Sequence, residues 1–415
     1  MDWSKRRNRS LRICLAAALC LALCVTAGCK KEEPEIPVEE GFCAEISVFD
    51  CLQGLGFCDK GMTRVEEDLI MFYEYETGRS YPLCSDAYCE HIPYNSSSNP
   101  DPVCEATLEE LKMACVHGDY VYTIQRTGVQ EITVRARNLM ESGYRTVATL
   151  PYCQTFSPEG YNAIIGDKAY LLLAEIDNLQ EDELLLSYTS NDLYTYLVEL
   201  DLKTGEYRTL FHIDGEEKYK IFQTVYGDKG VYCRSYYEDT ENNEDFTQYK
   251  INEYREMFSY AAYDGAEKEL CPELVELTAY YGEGIFPNLA SGISEYGAYL
   301  VNEDMTKVEC YKYDGGKETV FELPEGYTKL LINAISGDKM IMELTTQEGT
   351  YKTAGFDLTS GELIIRDNTE RTSYVAVCDE GFTKFCQDEQ GGYRELWTYR
   401  DIFSKDGKPL LTIRY

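Results

Sequence analysis

Apolar and aromatic residues recur along this chain in short alternating runs, each broken by a turn of Asp, Gly or both. FYEYETGRSYPL turns at Gly78, VRARNLMESGYRTVATL at Gly143, YLVELDLKTGEYRTLF at Gly205 and SYAAYDGAEKEL at Gly265. CYKYDGGKETVFEL turns at Gly315 and Gly316, AGFDLTSGELIIR at Gly361, and DIFSKDGKPLLTI at Gly407. Period-two alternation predicts strands with one buried face. Glycine supplies the positive φ of a tight connection, and Asp bonds the backbone just beyond it. Successive turn glycines are 65, 62, 60, 50, 46 and 46 residues apart, taking Gly315 in the fifth copy.

A second turn precedes most copies. It reads His117-Gly118-Asp119, Gly166-Asp167-Lys168, Gly227-Asp228-Lys229 and Ser336-Gly337-Asp338, with weaker versions at Glu295-Tyr296-Gly297 and Asp379-Glu380-Gly381. Two hairpin turns per unit imply about four strands per unit, and sheets of that size repeated at such periods predict a β-propeller. One such sheet cannot bury both faces, whereas radial packing of blades can. Seven hairpins predict about seven four-stranded blades, with six or eight as alternatives. Residues 42–60 are expected to complete the first blade. Helical signals are scarce: ATLEELKMA (106–114) has helical spacing, and YKINEYREMFSYAA reads either way.

The first 41 residues depart from this pattern. Lys5, Arg6, Arg7, Arg9 and Arg12 precede an apolar run of 15 residues, Ile13 to Ala27. The run is too short to span a bilayer, and small residues close it, as at the cleavage site of an exported protein. Thr26-Ala27-Gly28-Cys29 resembles the lipobox of bacterial lipoproteins, with Thr26 in place of the usual Leu. The resemblance implies that Cys29 becomes the lipidated first residue of the mature chain. Residues 1–28 are then a signal peptide, residues 29–41 (with KKEEPEIPVEEG) a disordered tether, and residues 42–415 the propeller domain. The hairpins YLVELDLKTGE and KTAGFDLTSGE resemble those of TolB-like and YWTD-like propellers. With the lipobox, the acidic tether and LCSDAYCEH, the chain is similar to uncharacterised Gram-positive lipoproteins carrying such propellers. This resemblance implies an extracytoplasmic, membrane-anchored location and no particular reaction, because propellers host many functions.

Charge narrows the partners. Net charge is −34 overall. The leader holds five basic residues and one acidic residue, so the remainder has 34 Lys+Arg against 72 Asp+Glu, a net −38. A phosphate backbone would be repelled, so nucleic acid is excluded as a partner. Membrane attachment is assigned to the N-terminal lipid. A protein or carbohydrate ligand fits a chain with 36 tyrosines, although most of these are expected in sheet packing.

There are 17 cysteines. Cys14, Cys20 and Cys24 leave with the leader and Cys29 takes the lipid, so an odd number, thirteen, remains. Cys233, Cys310 and Cys378 sit in strand-like runs and are expected as small core hydrophobes. Cys84, Cys89, His91 and Cys104 gather in a polar inter-blade stretch within residues 84–115. Three thiolates and one imidazole are a tetrahedral zinc set in kind, and four ligands leave no open position for catalysis. A disulfide among Cys84, Cys89 and Cys104 is the alternative. The Cys-x-His spacing allows a shared ion only if the backbone turns there. Cys115 and His117 are expected in core and turn roles, and a disulfide within Cys43, Cys51 and Cys58 would fasten the first blade. His212 is expected to be structural. No G-x-S-x-G elbow is present, so a serine hydrolase of that class has no anchor.

These features predict a lipid-anchored, extracytoplasmic, non-catalytic propeller that binds a ligand or partner, with structural zinc as its one candidate cofactor. The alternatives are a surface enzyme acting on carbohydrate or peptide and a structural part of an envelope complex. An acid–acid or acid–histidine cluster at the channel mouth would mark the enzyme. An exposed apolar patch on a blade rim would mark the structural component.

Overall fold

A computed structural model describes residues 46–50, 54–154, 161–176, 193–213, 218–242, 249–281, 292–367, 374–378 and 381–414. Met1–Glu40 and Gly41–Tyr415 are two units, and the first lies outside the described residues. The leader, Cys29, the tether, Cys43 and Cys51 therefore lie outside them. Among the described residues no helix is long and apolar enough to cross a membrane.

The fold is an all-β propeller of four-stranded blades. The chain opens with β1 (Ile46–Asp50), β2 (Leu55–Phe57), β3 (Gly61–Glu66), β4 (Leu69–Glu74) and β5 (Ser80–Pro82). β6 (Leu111–His117), β7 (Tyr120–Gly128), β8 (Glu131–Asn138) and β9 (Arg145–Leu150) form a separate blade. β10 (Cys153–Gln154), β11 (Tyr161–Ile165), β12 (Lys168–Ile176), β13 (Leu193–Asp201) and β14 (Tyr207–Phe211) follow. A further blade holds β15 (Lys220–Gly227), β16 (Gly230–Asn242), β17 (Tyr249–Ala262) and β18 (Glu267–Leu270). Helix α1 (Pro272–Thr278) leads to the blade of β19 (Gly292–Ile293), β20 (Gly297–Val301), β21 (Lys307–Lys312) and β22 (Lys317–Glu322). Next come β23 (Tyr327–Ser336), β24 (Lys339–Thr346), β25 (Tyr351–Asp357) and β26 (Leu363–Asp367). The last blade has β27 (Tyr374–Cys378), β28 (Gly381–Asp388), β29 (Gly391–Thr398) and β30 (Leu411–Arg414), with helix α2 (Tyr399–Phe403) between the final two strands.

The blade count differs from the seven expected. Among the described residues, five sheets are separate four-stranded blades, and the other ten strands form one continuous sheet in the order β14-β13-β12-β11-β1-β2-β3-β4-β5, with β10 on β12. The cause is β1, which pairs antiparallel with both β11 and β2 and so fuses the two strand runs on either side of it. Turn spacing counts hairpins; it carries no signal for a strand that joins two sheets. Two other expectations are corrected. ATLEELKMA is no helix: Glu110 takes φ +51, and Leu111, Met113 and Ala114 are buried from strand β6. Gly407 is no tight hairpin turn, because α2 fills that connection. YKINEYREMFSYAA is strand β17.

The six other outer-turn glycines, counting Gly315 in the fifth copy, have positive φ, as that chemistry requires. The inner and outer turns of a unit are stitched together. The N–H of Leu139 donates to Asp119 O, Leu202 to Asp167 O, Tyr263 to Lys229 O and Leu358 to Asp338 O, at 2.8–3.0 Å. In the LDLKTG and FDLTSG turns the Asp carboxylate also accepts from the backbone two and three residues on, Asp201 from Lys203 and Thr204, and Asp357 from Thr359 and Ser360.

The inner strands converge on a central cavity of ≈130 Å³. Val48 of β1, Tyr161 of β11, Thr224 of β15, Ile293 of β19, Ile335 of β23 and Val377 of β27 all face it. Val48, Phe57 and Met62 pack with Val377, Leu396 and Leu411, so the first sheet meets the last blade. Core side chains here are mostly fully buried, and each such Leu, Ile or Phe contributes roughly 1.5–3 kcal/mol.

Candidate metal centre

The Cys/His segment is an excursion that starts and ends on one residue of β4. Ile70 accepts from the N–H of Leu83, just past β5, at 2.9 Å. The N–H of the same Ile70 donates to Ala106 O at 2.8 Å. Leu69 and Thr107 form an adjacent bridge. The chain between these anchors has little regular structure, and a loop this long is usually functional or tied down. Its inner side rests on Ile70, Phe72, Leu111 and Val121. On its outer side Tyr88 and Val103 are almost wholly exposed, at 95% and 96%. The loop has no apolar core of its own.

Four donors meet inside it. One ligand atom from each of Cys84, Cys89, His91 and Cys104 lies within 4.8 Å of all the others. His91 supplies the backbone turn that the Cys-x-His spacing demands, with φ +52. Its N–H donates to Cys89 Sγ at 3.4 Å, and its Nδ1 lies 3.5 Å from Cys104 Sγ. Cys104 is buried, the other three are half-buried, and all three cysteines are free thiols in this structure. Burial is the main cause that pushes the Cys104 thiol up to about 12. A nearby dication would reverse that, since it favours the thiolate. Tetrahedral zinc with Zn–S of about 2.3 Å sets its sulfurs about 3.8 Å apart, so a small inward movement of these donors would enclose one ion. A disulfide would join two of the thiols and leave the third and the imidazole convergent without a role.

A buried arginine holds this geometry. Arg137 of β8 is 2% exposed. Its Nη2 donates to Leu83 O at 2.6 Å, next to Cys84. Its Nη1 lies 3.5 Å from the carboxylate of Glu105, next to Cys104, and 3.2 Å from Glu141 O. Glu105 in turn accepts from the N–H and the hydroxyl of Ser85, at 3.0 and 2.6 Å. The residue after each outer cysteine, Ser85 and Glu105, thus closes the loop mouth through one guanidinium. Asn95 accepts from the N–H groups of Ser97 and Ser98, and Asn99 donates to Ile92 O and Pro93 O, ordering the loop tip. Sequence reasoning missed Arg137, Glu105 and Ser85. The matched positions of Ser85 and Glu105 behind their cysteines were the available signal; Arg137, distant in sequence, had none.

The other candidates take structural roles. Cys115 is fully buried, and burial pushes its thiol well up. His117 bridges elements: Nδ1 is 2.9 Å from Ser47 Oγ of β1, and Nε2 is 3.1 Å from Gly166 O in the β11–β12 turn. Burial lowers its pKa. Cys58 is a buried thiol donating to Gly61 O. His212 stacks on Tyr196 at 4.4 Å. Cys233 and Cys310 are core thiols, while the side chain of Cys378 lies outside the described set. No Asp, Glu or His is among the described residues facing the central cavity.

No protein-family model matches the chain, and no curated protein does. Solved structures with a similar course include Porphyromonas gingivalis dipeptidyl peptidase 4 (9% identity, 86% of this chain and 58% of that one, TM-score 0.39). TolB from Acinetobacter baumannii is another (12%, 84% and 78%, TM-score 0.34). A third is the β-propeller domain of the Trilobed protease from Pyrococcus furiosus (12%, 72% and 82%, TM-score 0.37). The chain spans little more than half the length of the dipeptidyl peptidase. Likenesses at this level say nothing of activity; here the chain's own blades carry the description of the fold.

Proposed function

We propose that this chain is a non-catalytic binding propeller, held at the extracytoplasmic face of a bacterial membrane by lipid on Cys29. A structural zinc clip of Cys84, Cys89, His91 and Cys104 fastens its longest described loop. The convergence of these four donors, with Ser85, Glu105 and Arg137 behind them, carries the reading. A set of three thiolates and an imidazole fills all four positions of a tetrahedral ion, so the clip shapes a surface and performs no reaction. The surface so ordered presents Tyr88 and Val103 to solvent and suits a protein or carbohydrate partner. The anchor is tested by Cys29→Ser, expected to move the protein from the membrane to the soluble fraction. Retention of the variant in the membrane would refute the lipid anchor.

A further inference from the structure

Successive grooves between neighbouring blades share a cation contact that the groove after them lacks. In the outer strand pairs, register makes Arg208, Lys268 and Glu318 equivalent: Arg208 faces Glu199, Lys268 faces Tyr260 and Glu318 faces Cys310. Arg208 reaches across to the next blade and donates to Tyr263 O at 2.5 Å. Lys268 does the same one blade later, donating to Tyr313 O at 3.2 Å. Tyr263 and Tyr313 are themselves equivalent, each sending its hydroxyl to the inner turn of its own blade, at Gly227 O and Ser294 O. Two successive grooves are therefore filled by a cation from the preceding blade.

In the next groove that strand position holds no cation. The equivalent residue is a carboxylate, Glu318, and the equivalent carbonyl belongs to Leu358. The neighbouring Lys317 is engaged with Glu309 on its own sheet. Here the molecule carries a cleft of ≈490 Å³, walled by Tyr232, Tyr299, Tyr313 and Leu358. Tyr232 and Tyr313 are stacked at 4.9 Å, and Tyr296 stands at the rim, 55% exposed. Four lining residues are carboxylates, Glu295, Asp314, Glu318 and Asp338, against one lysine, Lys312. Lys312 pairs with Glu318 at 2.8 Å, and Asp338 pairs with Lys339 at 2.9 Å. Glu295 and Asp314 have no ion pair among the described residues.

We propose that this cleft binds an organic cation, an alkylammonium or alkylguanidinium group, in the place that Arg208 and Lys268 fill in the two preceding grooves. Carboxylates and aromatic faces both attract such a group, and the strongly acidic body concentrates cations at its surface. The inference rests on the binding reading above and gives it a ligand class. The cation can arrive as a free amine or on the side chain of a peptide.

The test is calorimetric titration of the detergent-solubilised full chain with agmatine, with the tripeptide Gly-Arg-Gly, and with butylurea as the neutral control. Agmatine or the peptide should bind and butylurea should not; the tighter of the two names the source. Glu295→Gln and Asp314→Asn should each weaken binding about 2–5-fold. Glu318→Arg restores the repeat, so it should abolish binding and raise Tm. A control at Glu322, which faces Lys307 away from the cleft, should change nothing as Glu322→Gln. Absence of binding by either cation, equal binding of butylurea, or undiminished binding in Glu318→Arg would overturn the proposal. Zinc content, measured on the same samples, reports separately on the metal-clip reading.

Discussion

At the scale of single residues, the proposed metal site depends on a side chain that touches no donor. Arg137 spends its buried charge on Leu83 O, Glu141 O and Glu105, and its guanidinium lies 5.4 Å from the Tyr144 ring. Removing it would take the cation from the Glu105 carboxylate and loosen both ends of the loop together. Outer partners of metal ligands typically contribute 10–100-fold in affinity. Arg137→Met should therefore weaken zinc binding about 10-fold or more in a chelator competition, with Arg137→Lys recovering part of it. A structural role unconnected to the metal would lower Tm and leave the competition curve in place. The four donors were legible in the sequence because Cys and His are chemically marked and these four stand close together in one polar stretch. Arg137 was not, because nothing local distinguishes an arginine that closes a loop 33 residues back at Cys104 from one on a solvated face.

At the scale of elements, hairpins were legible and their neighbours were not. Asp–Gly turns report on the two strands they join, through positive φ and short side-chain bonds. The double pairing of β1 is a long-range event with no such local mark, and a five-residue strand, ISVFD, does not reveal whether it has one partner sheet or two. His117 sits where this matters, tying β6 to β1 and to the β11–β12 turn. Its pKa is lowered from 6.5 in the fold, so the unfolded chain binds the proton more readily. Stability from this group is complete above about pH 6.5 and is lost as pH falls through and below that value. Urea titrations should show a steeper loss of stability from pH 7 to 5 in the native chain than in His117→Gln. Parallel pH profiles would contradict the bridging role of neutral His117.

At the scale of the whole molecule, the blades supply a repeated frame, and its departures from repetition supply the candidate sites. The long loop lies between the first two turns, and the cleft at Glu318 follows the last of the inter-blade cations. A metal ion that clips the long loop would travel with the purified protein. The most direct test is the metal content of the chain purified without chelator. About one zinc ion per chain in the native protein, lost in Cys104→Ser, is the predicted result. Native protein that contains no zinc and takes up none when supplied with it would contradict the account.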